Sequence, residues 1–251
     1  MRFLFSAAIL AAMFPSVVNG AGLAQTKNFT VVTPAKPSQD AGDRFANLVA
    51  ERAEKFRAEF AREWLGETLP DGGVRTIISV NFSNVENSGL TSAKNRPSQK
   101  FHNVYLRTSA EKASGTMLHH EIAHTVLATR FPHPNRLDTW VEEGIASRYD
   151  DAYLIEVRQQ EVRSWIRMGR VPQLVSLLNS QKIHSFDDTH YAAAESLVQF
   201  LITRGDKQTL LRFAAMGQRD GWDDSLFAHY GIAGVRQLQT EWESWLRGSV
   251  Q

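Results

Sequence analysis

The chain has 251 residues, a formal net charge of +1 at neutral pH and no cysteine. That length suits one domain with a substantial core or two small ones, and the lack of cysteine excludes a disulfide framework and any thiolate metal site. Acidic and basic residues nearly balance, so nothing in the charge favours a nucleic-acid partner.

Met1-Arg2 is a minimal basic start, and residues 3 to 14 form an apolar run that Pro15 breaks before small residues around Val18, Asn19, Gly20 and Ala21. This pattern predicts a signal peptide over residues 1–20, with cleavage near Gly20 and an exported, periplasmic or secreted protein. The run is shorter than the roughly 18–20 apolar residues that span a bilayer, and no later segment reaches that length. Losing Arg2 with the signal brings the formal charge from +1 to 0.

Residues 25–251 then read as one domain. Phe29 to Thr33 is a strand closed by Pro34 and Pro37, and Asp43 to Trp64 carries Phe45, Leu48, Val49, Phe56, Phe60 and Trp64 at helical spacing. Asp71-Gly72-Gly73 is a turn, and Val74 to Phe82 is a second strand. Asn84 to Lys100 is polar, holds Gly89 and Pro97, and reads as a long loop. Phe101 to Arg107 is a third strand, with His102 read as a surface residue.

Beyond Thr108 the pattern is helical. Ser114 to Arg130 stops before Pro132 and Pro134, and Thr139 to about Tyr149 starts from Asp138 or Thr139 as its cap. A short helix from Pro172 to Leu178, then Thr189 to Thr203 and Thr209 to Ala215, follow. Gly234 to Leu246 closes the chain, its Val235, Leu238, Trp242, Trp245 and Leu246 forming an apolar stripe read as core. The expected fold is α+β: a small mixed sheet over residues 25–130 packed on a histidine-bearing helix, then an all-helical part over residues 131–251.

Residues 120 to 124 read His-Glu-Ile-Ala-His, and after eighteen further residues comes Glu143, inside Trp-Val-Glu-Glu-Gly-Ile-Ala. His120 and His124 are one helical turn apart, so both imidazoles leave one face at a spacing that chelates a single ion. A carboxylate from the second helix completes three protein ligands and leaves a fourth position for water, which marks a catalytic zinc site rather than a structural one. Glu121, next to the first histidine, can take a proton from that water without ligating the metal. The flanks Met117, Leu118, Ile122, Val126 and Leu127 are apolar, and buried ionisable groups are costly without a partner such as a metal.

This motif pair resembles the gluzincin zinc metallopeptidases, and within them the peptidase MA-like and aminopeptidase-N-like families. The resemblance implies a thermolysin-like catalytic domain, one zinc ion, a peptide or protein substrate, and His120, His124 and Glu143 as the ligands. It chooses Glu143, before the glycine, over Glu142, which is then a solvated carboxylate or one that orients a ligating histidine. It also makes Glu121 the general base. The segment Tyr191-Ala-Ala-Ala-Glu195 is similar to the one carrying the transition-state tyrosine of aminopeptidase-N-like enzymes, which gives Tyr191 the oxyanion-donor role, with His190 as competitor and His119 pointing away from the metal. In such folds an edge strand pairs with extended substrate; Phe101 to Arg107, or the loop before it, is the candidate. The Gly-x-Met-Glu-Asn sequence that holds a free amine in aminopeptidases is absent between residues 70 and 110, so exopeptidase specificity is not expected. Two other functions share the pattern: a non-catalytic envelope binding module braced by zinc, and a zinc amidase acting on cell-wall amides.

Overall fold

The structure is a computed structural model and describes residues 20–96, 99–180, 182–184 and 187–249. The expected signal peptide lies outside these residues except for Gly20. Among the described residues no helix is long and apolar enough to cross a membrane. The chain divides into two compact units: Met1–Glu54 with Asp71–Gly115, and Lys55–Pro70 with Thr116–Gln251.

The first unit is built on a five-stranded mixed sheet. Its strands are β1 (Ala21–Gln25), β2 (Phe29–Pro34), β3 (Arg75–Phe82), β4 (Ser88–Arg96) and β5 (Gln99–Thr108), in the order β1-β2-β3-β5-β4. β2, β3 and β5 run parallel, and the two outer strands pair antiparallel. Val31, Ile78 and Val104 form one register row across the three central strands and are fully buried. Between β2 and β3 the chain forms α1 (Gln39–Phe60), four residues earlier than the apolar spacing predicts. The start is set by Ser38, whose hydroxyl accepts from the Ala41 amide at 3.2 Å. The first turns of α1 lie tightly on the sheet: a Cβ added at Gly22 would come within 2.1 Å of the Gly42 carbonyl carbon. Thr33 Oγ1 donates to the Gly42 carbonyl at 3.0 Å, and the rings of Phe45 and Phe82 meet edge-on at 5.1 Å.

Three expectations fail in this unit. β1, Ala-Gly-Leu-Ala-Gln, is an extra strand. The polar stretch read as a loop forms β4, because β5 offers it a full ladder from Ser88↔Arg107 to Arg96↔Gln99. β5 is therefore interior, and the edge lies in the segment before it. His102 is buried rather than on the surface, in the row Phe29–Thr76–His102.

The second unit is helical: α3 (Thr116–Arg130), α4 (Thr139–Ala146), α5 (Ala152–Met168), α6 (Leu174–Leu178), α7 (Asp188–Arg204), α8 (Lys207–Asp220), α9 (Trp222–Tyr230) and α10 (Val235–Ser249). The sheet unit supplies the short α2 (Ala110–Ala113). Local chemistry fixes the helix starts. Asp151, Asp187 and Asp206 accept from the amides of Leu154, His190 and Thr209 at 3.0, 3.0 and 2.6 Å. Gly169, with φ 63°, takes the left-handed turn that ends α5. The last turns of α1 also belong here and continue as a π-helical turn, Ala61–Leu65, whose Trp64 Nε1 donates to the Tyr149 hydroxyl at 2.7 Å.

Aromatic contacts help fill the core of this unit. Trp140 meets Trp222 at 5.7 Å and Phe213 at 6.4 Å, and Trp165 meets Trp242 at 6.4 Å. Trp242 is fully buried as the stripe predicts, whereas Trp245 is half-buried beside Phe200. Pro172 precedes α6 instead of opening it, and its carbonyl accepts from Gln239. α5 and α9 have no counterpart in the sequence expectations.

α4 and α7 cross at Gly144. A Cβ at that position would lie 2.6 Å from the Ala194 carbonyl oxygen and 2.8 Å from Val198 Cγ2. Only glycine lets the two helices approach this closely, and the residues flanking the crossing are Glu143 on one helix and Tyr191 on the other.

Candidate metal centre

α3 is buried at Leu118 and from Glu121 to Ala128, because apolar residues are interleaved with its ionisable ones. His120 and His124 leave the same face, and their Nε2 atoms stand 3.2 Å apart. α4, opened by Asp138 in extended conformation, brings Glu143 Oε2 to 3.7 Å from each of those nitrogens. These three side chains form the group among the described residues able to hold a metal ion. A circle through donor atoms with edges of 3.2, 3.7 and 3.7 Å has a radius of about 2.1 Å, which matches the roughly 2.0–2.2 Å bonds of zinc to imidazole nitrogen and carboxylate oxygen. The donors already stand as far apart as three ligands of one small divalent cation require.

Electrostatics favour positive charge at this point. Burial lowers the affinity of His120 and His124 for a proton, but Asp150 and Glu143 outweigh it for His120, and Glu143 does so for His124. Both pKa values are raised, that of His120 well above its ordinary value. Burial raises the Glu143 pKa, but the two histidines bring it far below the usual carboxylate range. Glu121 is buried on α3, and its charge adds to the pull on both imidazoles.

Each histidine is backed by a carboxylate, and each carboxylate by an arginine. His120 Nδ1 donates to Asp150 Oδ1 at 2.9 Å, which orients the ring with Nε2 toward His124 and Glu143. Asp150 is in turn bonded to Arg158. His124 Nδ1 lies 3.8 Å from Glu142 Oε2, within reach of an ion pair though long for a hydrogen bond. Arg136 grips Glu142 with both prongs, at 2.9 and 2.7 Å. Glu142 is thus a buried carboxylate beside a histidine, and the solvated alternative is excluded.

The remaining candidates separate cleanly. Tyr191, in the first turn of α7, is raised in pKa by burial first and by the negative charge of Glu143 second, so its phenol stays protonated. The Arg158 guanidinium lies 5.7 Å from its ring centroid. His190 turns away to Asp187 at 2.6 Å. His119 lies between Phe56, stacked at 4.2 Å and 5°, and Tyr149 at 4.0 Å, with its Nε2 buried and without a partner among the described residues. Burial lowers its pKa to about 4.

Sequence reasoning missed Asp150, Arg158, Arg136 and Glu195. One signal was present: Asp150 and Asp151 adjoin before α5, and a helix start needs only one cap. Asp151 supplies it, and the other aspartate faces His120.

No protein-family model matches the chain, and no curated protein matches it in sequence.

Proposed function

We propose that this chain is an exported zinc-dependent metallopeptidase of the gluzincin kind, with a thermolysin-like catalytic domain that hydrolyses peptide bonds. The observation that carries this reading is the convergence of His120, His124 and Glu143 at zinc-ligand separations, with Glu121 buried on the same helix.

Zinc, when bound, supplies Lewis acidity that polarises a carbonyl and lowers the pKa of water toward about 7. The chain supplies the rest. The Glu121 carboxylate takes the proton of the attacking water and delivers it to the leaving nitrogen. Tyr191 holds its proton at neutral pH and donates a hydrogen bond to the oxygen that gains charge. Asp150 holds the His120 ring by its hydrogen bond, and the Glu142 carboxylate lies beside His124 as a charge partner. The substrate class is peptide or protein.

The test is a peptide-library digest by purified protein with and without chelator, run beside Glu121→Gln. Cleavage that stops with chelator and returns with zinc supports the reading, as does loss of turnover in Glu121→Gln with zinc still bound at one ion per chain. Undiminished cleavage in chelator, or by Glu121→Gln, refutes it. Zinc binding without any cleavage of peptides favours the binding-module alternative, and release of cell-wall amides without peptide cleavage favours the amidase.

A further inference from the structure

α5 is unusual in what it buries: its two buried residues are Trp165 and Arg158. The Arg158 guanidinium reaches two separate segments at once, the turn over residues 147–150 and the helix α7. It bonds Asp150, the residue that accepts from His120 Nδ1. Its Nη1 donates to the Ser147 carbonyl at 3.3 Å, in the turn that continues the helix presenting Glu143. The same Nη1 donates to Glu195 Oε2 at 3.2 Å, and the group lies against the ring of Tyr191. Tyr191 and Glu195 are one turn apart on α7, so the guanidinium meets two positions on one face of that helix.

We infer that Arg158 is the positioning residue of the metal centre, holding His120 through Asp150 while fixing the backbone after Glu143 and the ring of Tyr191. The inference deepens the proposed function and rests on its metal site. Arginine suits the task because a planar fork of five donors serves several acceptors at fixed angles, whereas the single ammonium of lysine does not. A buried positive charge between two carboxylates is also a costly way to join helices if joining is its sole purpose. A cavity of about 490 Å³ opens beside it, lined by Arg148, Gln159, Val162, Glu195 and Trp245 among others. That space lets a small cation from solvent reach the guanidinium position.

The experiment measures zinc affinity of the folded protein by chelator competition, and the absorption spectrum of the cobalt-substituted protein, for wild type, Arg158→Lys, Arg158→Ala and Asp150→Asn. Ser225→Ala, which removes a buried 2.7 Å hydrogen bond to the Phe213 carbonyl in the same unit, is the control for stability loss alone. Zinc affinity should fall about 10–100-fold in Arg158→Lys and in Asp150→Asn. A double variant carrying both Arg158→Lys and Asp150→Asn should lose no more than the worse single one, because both act through one link. Millimolar methylguanidinium should restore affinity to Arg158→Ala, and ammonium or urea should not.

Affinity within about twofold of wild type in folded Arg158→Lys overturns the inference, as does full additivity of the double variant. If Arg158→Ala does not fold, the lysine and asparagine variants decide alone. Failure of the wild-type protein to bind zinc or cobalt refutes the underlying reading instead, and is recognisable as such.

Discussion

Replacing Gly144 by alanine tests whether the crossing of α4 and α7 shapes the metal centre. The added methyl would sit 2.6 Å from the Ala194 carbonyl oxygen, where ordinary contact begins near 3.4 Å. Val198 Cγ2, at 2.8 Å, can turn aside, but the carbonyl belongs to a helix backbone and cannot. The helices must therefore part by roughly 0.8 Å. Overpacking of this kind costs about 1–3 kcal/mol, and the better helix propensity of alanine returns about 1 kcal/mol. The expected net loss is up to about 2 kcal/mol, or a midpoint lower by up to about 8 °C for a unit of this size. Glu143 precedes the glycine and Tyr191 lies three residues before Ala194, so the displacement separates the two groups that α4 and α7 bring together. Zinc affinity should fall about tenfold or more, since displacing ligand supports costs that much. Thermal unfolding with and without zinc, together with chelator competition, measures both effects. An unchanged midpoint with unchanged zinc affinity would refute the close crossing and its link to the site.

Tyr191→Phe should keep zinc bound and KM near its wild-type value while kcat falls about 10²–10³-fold, the usual result of losing one oxyanion donor; unchanged kcat in a steady-state assay removes Tyr191 from the reaction. His119→Phe should make the metal-free protein less sensitive to acid. His119 has a folded pKa of about 4, below the ordinary 6.5, so between those values the unfolded chain binds a proton that the folded one refuses, and stability falls as pH drops. The full shift is worth about 3 kcal/mol, reduced to about 1–2 kcal/mol by partial contact with solvent. Denaturant unfolding at pH 7 and pH 5 in chelator should show a smaller loss for the variant, and equal losses would contradict the assignment.

The metal group was legible because its signal is local. One helical turn separates His120 and His124, and the apolar residues around them make the helix unmistakable. Glu143 was reachable through the resemblance, which picks the glutamate directly before the glycine of Trp-Val-Glu-Glu-Gly-Ile-Ala over Glu142. β4 was not legible: Ser-Gly-Leu-Thr-Ser-Ala-Lys-Asn-Arg has no apolar alternation, and its strand state comes from the ladder with β5. The parallel register of β2, β3 and β5 likewise depends on residues distant in sequence. α5 escaped for a more instructive reason. A search for apolar stripes looks for leucine and valine on the hidden face, and here that face is centred on an arginine. The outer support of His120 therefore lay outside what periodicity reveals. Glu142 shows the same limit, since only the Arg136 contact distinguishes a buried carboxylate from a solvated one.

Trp140 precedes Glu143 by three residues on α4, fully buried and edge-on to Trp222. Its indole nitrogen is shielded from water and has no acceptor among the described residues, a setting that shifts tryptophan emission toward the blue. The helix that presents the carboxylate thus carries its own optical gauge. A change in the field at Trp140 on cation binding at Glu143 would register in its emission, and Trp140→Phe would supply the blank.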